Sequence, residues 1–367
     1  MKWGNFEVAL RAERKCEMKR KQFIKGSVVL TLFCAGAVSV VLLFVGGCIV
    51  IDGDGNWDNR ARFERTVELQ HPMRSGTTLV VSTASGSIEA IGQETDQAAV
   101  TAKICVRAAT EQEAQELAEQ VEIRFLEAGE WLEIRADEPS LLSRRSISIS
   151  YNILMPRQAG IECESASGSL KVQDLTGNVR ASTASGSVEA ARIQGAVHLH
   201  SASGSVHGDN FSGGDVELDT GSGGVRLSDA SQVGTCWARS GSGPVRVEHV
   251  QAHRIHMDSG SGGVTGKDIN CSRLNAGSGS GNVSAVFAPS APDNVVADFG
   301  SGSGNVHVIL PPGFAGRVDL SVDSGSVHID RPMTVRGNMG KRHIKGTIGE
   351  GTGSLTAHIG NGSIDVR

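Results

Sequence analysis

The chain has 367 residues, of which 40 are acidic, 35 are basic and 47 are glycine, and only 4% are aromatic. The acidic balance, without a basic patch or an aromatic platform, excludes a nucleic-acid-binding protein. So few aromatic side chains exclude a thick core and indicate a thin one built from small, β-branched residues.

Residues 1–47 are predicted to be an export signal or membrane anchor. Basic residues at 19–25 precede an apolar run at 27–47, and the sequence Val-Gly-Gly-Cys ending at Cys48 resembles a bacterial lipobox. By that resemblance, Cys48 would be lipidated and become the mature amino terminus. The run of about 21 residues is also long enough to span a bilayer, so an uncleaved anchor with a cytoplasmic basic end stays open. Translation could start at the first methionine or at Met18, and either anchor places the bulk outside the cytoplasm.

Residues 48–59 are predicted to be a linker. They are rich in Asp, Gly and Asn. The Asp spacing is similar to half of a calcium-binding loop, but no Glu follows where an EF-hand requires one. A solvated tether is therefore favoured over a metal site.

The chain without its first 47 residues is more acidic than the whole. Removing residues 1–47 takes away eight basic and three acidic residues, which leaves 27 basic and 37 acidic residues.

Residues 60–155 are predicted to form an irregular β cap region with one short helix. The helix is expected from Glu111 to Gln120, because Thr110 and Glu113 make a capping box. The sequence from Val81 to Ile88 nearly repeats a later segment, so this region is interpreted as the first coils of the same fold. Strands are expected at 78–82, 99–107, 121–126, 131–135 and 146–155.

Residues 156–331 carry a repeat centred on a Ser-Gly unit. Successive central glycines are separated by about 20 residues, a period that is typical of a solenoid whose repeats bury their apolar side against their neighbours. These glycines are Gly168, Gly186, Gly204, Gly223, Gly243, Gly262, Gly281, Gly304 and Gly325.

Each repeat contains two short stretches in which apolar and polar residues alternate. Val188, two residues after a central glycine, and Ala190 are expected to face inward, with Glu189 outward between them. Seven and five residues before the glycine, pairs such as Val197 and Leu199 alternate in the same way. The sequence therefore predicts an all-β fold, a single-chain parallel β-solenoid with coils of about 18–23 residues.

Outward positions are expected to stack from coil to coil. Opposite charges succeed one another at Asp219, Arg239 and Asp258, which indicates a charge ladder. A column of small hydroxyl residues along the turn is interpreted as a hydrogen-bonding ladder at a narrow corner. Its members are Ser165, Thr183, Ser201, Thr220, Ser240, Ser259 and Ser278.

Residues 332–367 are less regular than the repeats before them. They end in two repeat-like turns, Thr-Gly-Ser-Leu from Thr352 and Asn-Gly-Ser-Ile from Asn361. These turns are predicted to form C-terminal coils that cap the far end of the solenoid.

The sequence does not predict an enzyme site. A sugar-cleaving β-helix would use Asp219 and Asp258 beside Arg239 and His200, but the charge ladder explains the same residues. No nucleophile elbow, zinc motif or phosphate loop occurs. We therefore predict no catalytic residue, no metal site and no cofactor. The histidine groups 198/200/207 and 249/253/256 are interpreted as exposed residues rather than metal ligands.

Four cysteines follow the lipobox: Cys105, Cys163, Cys236 and Cys271. Cys163 and Cys236 fall at inward strand positions and are interpreted as small buried apolar residues. A disulfide stays open for an exported chain, although no spacing specifies a pairing.

The coil pattern, apolar-x-Ser/Thr-Ala/Gly-Ser-Gly-Ser/Gly-Val-polar-apolar, resembles a bacterial β-strand-repeat family of unknown function whose members are often labelled adhesins. The resemblance covers about residues 75–367 and implies an envelope-associated β-solenoid, with no catalytic residue to transfer. We expect a non-catalytic, envelope-anchored scaffold or adhesin-like protein, which contacts the membrane through its lipid or amino-terminal segment and binds envelope polysaccharide or protein. Two alternatives stay open: a carbohydrate-binding or carbohydrate-cleaving β-helix, with Trp237 beside Arg239 as its aromatic residue, and a membrane-anchored envelope-stress accessory protein.

Overall fold

The structure, a computed structural model, describes residues 46–49, 61–137, 147–335 and 340–367. The predicted export segment and linker lie outside these ranges, except for the short strand β1 (Gly46–Ile49), which pairs antiparallel with β2. Within the described ranges, no helix is long and apolar enough to cross a membrane. The described chain contains 25 strands and one helix.

The region before the regular repeats contains one helix and, after β1, seven strands. The helix α1 (Glu111–Glu119) begins as predicted: Thr110 Oγ1 accepts a hydrogen bond from Glu113 N at 3.2 Å, and Glu113 Oε2 accepts one from Ala109 N at 3.2 Å. All five strands expected here are present. The strands are β2 (Ala61–Pro72), β3 (Thr78–Ser85), β4 (Ile88–Gln93), β5 (Gln97–Ala108), β6 (Glu122–Ala128), β7 (Trp131–Asp137) and β8 (Ile147–Pro156).

The regular repeats form parallel strands in the register that the sequence predicts. Val188, for example, lies opposite Leu170 on one side and Val206 on the other. The strands are β9 (Gly160–Ser167), β10 (Leu170–Leu175), β11 (Val179–Thr183), β12 (Val188–Gln194), β13 (Val197–Ser201), β14 (Val206–Ser212), β15 (Val216–Thr220), β16 (Val225–Ser240), β17 (Val245–Ser259), β18 (Val264–Ser278), β19 (Val283–Phe287), β20 (Val296–Ser303) and β21 (Val306–Ile309).

The last strands are β22 (Gly316–Ile329), β23 (Thr334–Val335), β24 (His343–Ile348) and β25 (Gly353–Val366). The expectation that the last two repeat-like turns cap the far end of the solenoid is wrong. Strand β25 lies between β20 and β21 on one side and β22 on the other, so the final residues form an inner coil. The outer position is taken by β24, which pairs antiparallel with β22, and by β23, which pairs with β24.

The coils stack to form two parallel sheets, and the longest strands, such as β16, contribute to both. The first sheet contains the strand before each Ser-Gly turn and the second sheet the strand after it. Each has twelve parallel strands, which at ~4.8 Å per step make a rod about 50 Å long. In order, the parallel strands of the first sheet are β7, β3, β9, β11, β13, β15, β16, β17, β18, β20, β25 and β22, and those of the second are β8, β4, β10, β12, β14, β16, β17, β18, β19, β21, β25 and β22.

Antiparallel strands cover both ends of the parallel stack. At the start, β6 pairs with β7, while β5 and then β2 continue outward from β8. At the far end β24 covers part of β22. Covered ends remove open strand edges that would otherwise pair with other chains.

The core is a thin column of small apolar side chains, as expected. The inward residues predicted from the alternation, such as Val188, Val197 and Leu199, are at most 2% exposed. A third inward position lies seven residues after the central glycine and was not predicted. Its members include Leu175, Ile193, Phe211, Ala230, Val250 and Ile269.

This third inward position follows a sharp bend in each coil. The residue just before it adopts a left-handed backbone conformation, with φ between 53° and 62°. Asp and Asn tolerate that conformation better than most residues, and they fill four of the six positions. The bend turns the next side chain into the core. The six residues are Asp174, Arg192, Asn210, Asp229, His249 and Asp268.

The hydroxyl ladder is present and extends one coil further than predicted. Each hydroxyl donates to the carbonyl of the central glycine one coil earlier, at 2.8–3.2 Å. Six of them also accept from the central glycine of their own coil, at 2.7–3.3 Å. The ladder satisfies buried backbone groups at the corner. Ser301 continues it, and all eight members are at most 8% exposed.

Candidate functional site: an outward trough ending at Trp237

A shallow trough of about 410 Å³ lies on the outward side of the first sheet. One of its long sides is a column of short side chains near the turn, formed by Thr78, Asn178, Ala196 and Asp215. The other side is a column of longer side chains, called the tall column, whose members lie six residues before each central glycine. They are Glu162, Arg180, His198, Glu217 and Trp237. The trough runs from the level of Thr78 to that of Trp237, which is five strand steps or about 24 Å.

The tall side of the trough consists of charged residues that pair along the rod. Arg180 Nε lies 3.7 Å from Glu162 Oε1, and His198 Nδ1 lies 2.9 Å from Glu217 Oε2. Arg239 forms an ion pair with the second oxygen of Glu217. Glu217 is thus held from both sides. These side chains remain between 28% and 60% exposed, so they are open to a ligand.

Trp237 forms the end of the trough. It succeeds Glu217 in the tall column, because the two residues are register partners on β16 and β15. On its other side the indole stacks on His256, with ring centroids 6.1 Å apart and ring planes 10° apart. His256 therefore fixes the orientation of the indole, while the trough side of Trp237 is available. This placement was not predicted beyond naming Trp237 beside Arg239.

The predicted column His200, Asp219, Arg239 and Asp258 is in register across four successive strands. Its internal pairing differs from the expected ladder, because the ion pair of Arg239 is formed with Glu217 in the neighbouring column rather than with Asp219 or Asp258. His200 Nδ1 lies 3.6 Å from Asp219 Oδ2. Partial burial raises the pKa of the Asp258 carboxyl, and the nearby His256 and Arg239 oppose that rise. Choice between neighbouring columns depends on side-chain conformation, which spacing does not reveal.

The two histidine groups are not assembled into metal sites. Among the residues that the structure describes, no cluster of three or more potential metal ligands occurs. His207 lies on the second sheet, away from the column of His198 and His200 on the first. His249 pairs with Asp229 at 3.6 Å, whereas His256 stacks on Trp237.

Cys105, Cys163, Cys236 and Cys271 are free thiols. Cys163, Cys236 and Cys271 are buried, and burial raises the pKa of each thiol from 9.0 to about 12. The prediction that inward cysteines act as small apolar residues is confirmed. Cys105 differs, because it is partly exposed and its Sγ accepts a hydrogen bond from Arg62 Nε at 3.1 Å.

A stack of parallel coils with alternating inward and outward residues defines a β-solenoid, and the structure places the chain in that class of protein. The family model described as Toastrack DUF4097 matches residues 76–241 and 215–367. The chain belongs to this family, whose function is unknown. The sequence-based expectation of a β-strand-repeat family of unknown function is thereby confirmed.

Three solved structures match the chain at low sequence identity. A "putative cell adhesion protein" from Clostridium sporogenes ATCC 15579 is 14% identical, covering 82% of this chain and 97% of that one, with a TM-score of 0.20. A "putative lipid binding protein" from Parabacteroides distasonis ATCC 8503 is 12% identical over 86% and 99%, with a TM-score of 0.39. A "putative adhesin" from Bacteroides fragilis NCTC 9343 is 11% identical over 82% and 97%, with a TM-score of 0.28. No curated protein matches the chain.

Proposed function

We propose that the protein is a non-catalytic, envelope-anchored rod that serves as an adhesin-like or scaffold component by binding envelope polymers along its outward faces. The observation that carries this proposal is the coil-to-coil pairing of outward side chains. Pairs such as His198–Glu217 and Arg192–Asp174 bridge successive coils at 2.9 and 2.7 Å. They present a repeating polar surface over a rod about 50 Å long, a form that suits contact with an extended polymer.

The anchoring part of the proposal rests on the sequence before the rod. The basic residues, the apolar run and the Val-Gly-Gly-Cys sequence ending at Cys48 form an export signal with a lipidation site. The rod itself begins soon afterwards, with β2 at Ala61. A lipid on Cys48 would therefore keep the amino-terminal end of the rod close to a membrane surface outside the cytoplasm.

The non-catalytic part of the proposal rests on how the candidate acids are used. Asp219 lies beside His200 in the outward column, and Asp258 succeeds Arg239 in that column. Both acids occupy positions of an outward column that repeats from coil to coil. The same residues would have to act as acid and base in a sugar-cleaving enzyme, which sets up a direct test.

The test uses the full-length chain expressed in bacterial cells. Protease added to intact cells should digest the rod, while a cytoplasmic marker stays whole. The purified full-length chain should co-sediment with isolated envelopes and release no soluble sugar fragments. The proposal fails if the wild-type protein releases such fragments and Asp219→Asn or Asp258→Asn abolishes the release.

A further inference from the structure

The trough that ends at Trp237 has the dimensions of a binding site for an extended chain. Its volume of about 410 Å³ falls within the range of ligand pockets. It is open along its length of about 24 Å, so a long ligand can enter from the side. Its other side carries shorter side chains, and at Ala196 it lets a ligand approach the strand backbone.

The charged groups of the trough include one carboxylate in excess. Glu162, Glu217 and, on the opposite side, Asp215 supply three carboxylates, while Arg180 and the Arg239 that pairs with Glu217 from the neighbouring column supply two guanidinium groups. His198 adds a ring nitrogen beside Glu217. The excess carboxylate disfavours a polyanion. The paired row offers alternating hydrogen-bond acceptors and donors, which is what sugar hydroxyl groups, each both donor and acceptor, require.

Trp237 supplies the apolar contact that a sugar ring needs. The face of a pyranose ring carries C–H groups that pack against an indole, and the indole loses little conformational freedom on binding. Because His256 already holds the ring by stacking at 6.1 Å, Trp237 is oriented before a ligand arrives. The aromatic residue and the hydrogen-bonding row lie on the same trough.

We propose that this trough binds a neutral polysaccharide, with Trp237 packing against one sugar and the row from Glu162 to Glu217 bonding to the hydroxyl groups of its neighbours. One hexose unit of an extended chain is about as long as the ~4.8 Å strand spacing, so successive sugars can meet successive coils. The inference deepens the proposed function and rests on it, because it names the polymer class and the surface that binds it.

The inference is tested by isothermal titration calorimetry, in which three hexasaccharides are titrated into the full-length chain in detergent. The neutral probes are cellohexaose and chitohexaose, and the acidic probe is a galacturonate hexamer. We expect a neutral probe to bind with a Kd below about 1 mM and about tenfold more tightly than the acidic one. Trp237→Ala should weaken that binding about tenfold, while Trp237→Phe, which keeps an aromatic ring against His256, should retain most of it.

Matched histidines provide the control for the trough. His198→Ala removes a group from the hydrogen-bonding row and should weaken binding, whereas His207→Ala, on the second sheet, should not. The inference is overturned if neither neutral probe binds, if the galacturonate hexamer binds best, or if Trp237→Ala binds as the wild type does. If the chain then still co-sediments with isolated envelopes, the proposed function survives and only the polysaccharide trough is lost. If co-sedimentation fails as well, both are wrong.

Discussion

Ser201 Oγ donates a hydrogen bond of 2.8 Å to the carbonyl oxygen of Gly186, one coil earlier in the stack. The same oxygen accepts a bond of 2.8 Å from the amide of Gly204 in its own coil. Ser201 is fully buried. One hydroxyl therefore satisfies two backbone groups that water does not reach, and it joins two coils at their corner.

Ser201→Ala is expected to destabilise the rod by about 1–3 kcal/mol, because it leaves the Gly186 carbonyl and the Gly204 amide without this partner. Ser201→Thr should be well tolerated, since Thr183 and Thr220 occupy equivalent positions. The measurement is the urea midpoint of the full-length chain. Ser182→Ala, at a half-buried outward position, is the control and should shift the midpoint little. Equal shifts for Ser201→Ala and Ser182→Ala would contradict the ladder.

Gly204→Ala is expected to prevent stable folding, although the backbone of Gly204 has no left-handed conformation. A Cβ there would collide with the carbonyl oxygen of Gly186, and backbone in the middle of a stack has little room to move. Gly300→Ala is the matched control, because a Cβ at Gly300 meets no atom within 4 Å. Thermal unfolding should show a large loss for Gly204→Ala and a small change for Gly300→Ala. A Gly204→Ala protein as stable as Gly300→Ala would show that the coils can separate.

Val245→Asp is expected to unfold neighbouring coils. Val245 is fully buried between Val225 and Val264, so the substitution places an unpaired carboxylate in the core. Arg246→Ala, at the adjacent outward position, should shift the urea midpoint very little. Arg226→Ala should cost at most about 1 kcal/mol, because about half of the Arg226 side chain in its ion pair with Glu248 is exposed to solvent. Equal losses of stability for Val245→Asp and Arg246→Ala would contradict the assignment of Val245 as inward and Arg246 as outward.

The register, the strand alternation, the short helix and the hydroxyl ladder were all predictable, because each follows from residues at short and regular spacing. The bend before Ile193 was not predicted, although Asp or Asn at four of its six equivalent positions was a readable signal. The position of β25 was not predictable, since repeats with the same inward pattern can pair in several orders. Neither the pairing of Arg239 with Glu217 nor the trough beside Trp237 was predictable. The pairing depends on side-chain conformation, and the trough is formed by six stacked strands.

Among the four free thiols, Cys105 should react first with iodoacetamide at pH 8. It is partly exposed beside Arg62, whereas burial raises the pKa of Cys163, Cys236 and Cys271 to about 12 and keeps them protonated. Peptide mapping by mass spectrometry should find the three buried thiols unmodified until urea is added. Early alkylation of Cys236 in the native protein would contradict the closed core.

The raised thiol pKa values also give the sign of a stability change in alkali. Between pH 9 and about 12 the unfolded chain loses thiol protons that the folded chain keeps, so ionisation favours the unfolded state. The contribution of these thiols to stability is present below pH 9 and is lost as pH rises toward 12. The melting temperature of Cys236→Ala should therefore fall less steeply over this range than that of the wild type.

The central claim, that the rod is a lipoprotein held outside the cytoplasm, is tested most directly by metabolic labelling with a palmitate analogue. Wild-type and Cys48→Ala cells are labelled and then fractionated. The account predicts label on the wild-type chain in the membrane fraction and no label on Cys48→Ala. An unlabelled wild-type chain that stays in the membrane at full length would contradict it and would indicate a spanning anchor with a cytoplasmic amino terminus.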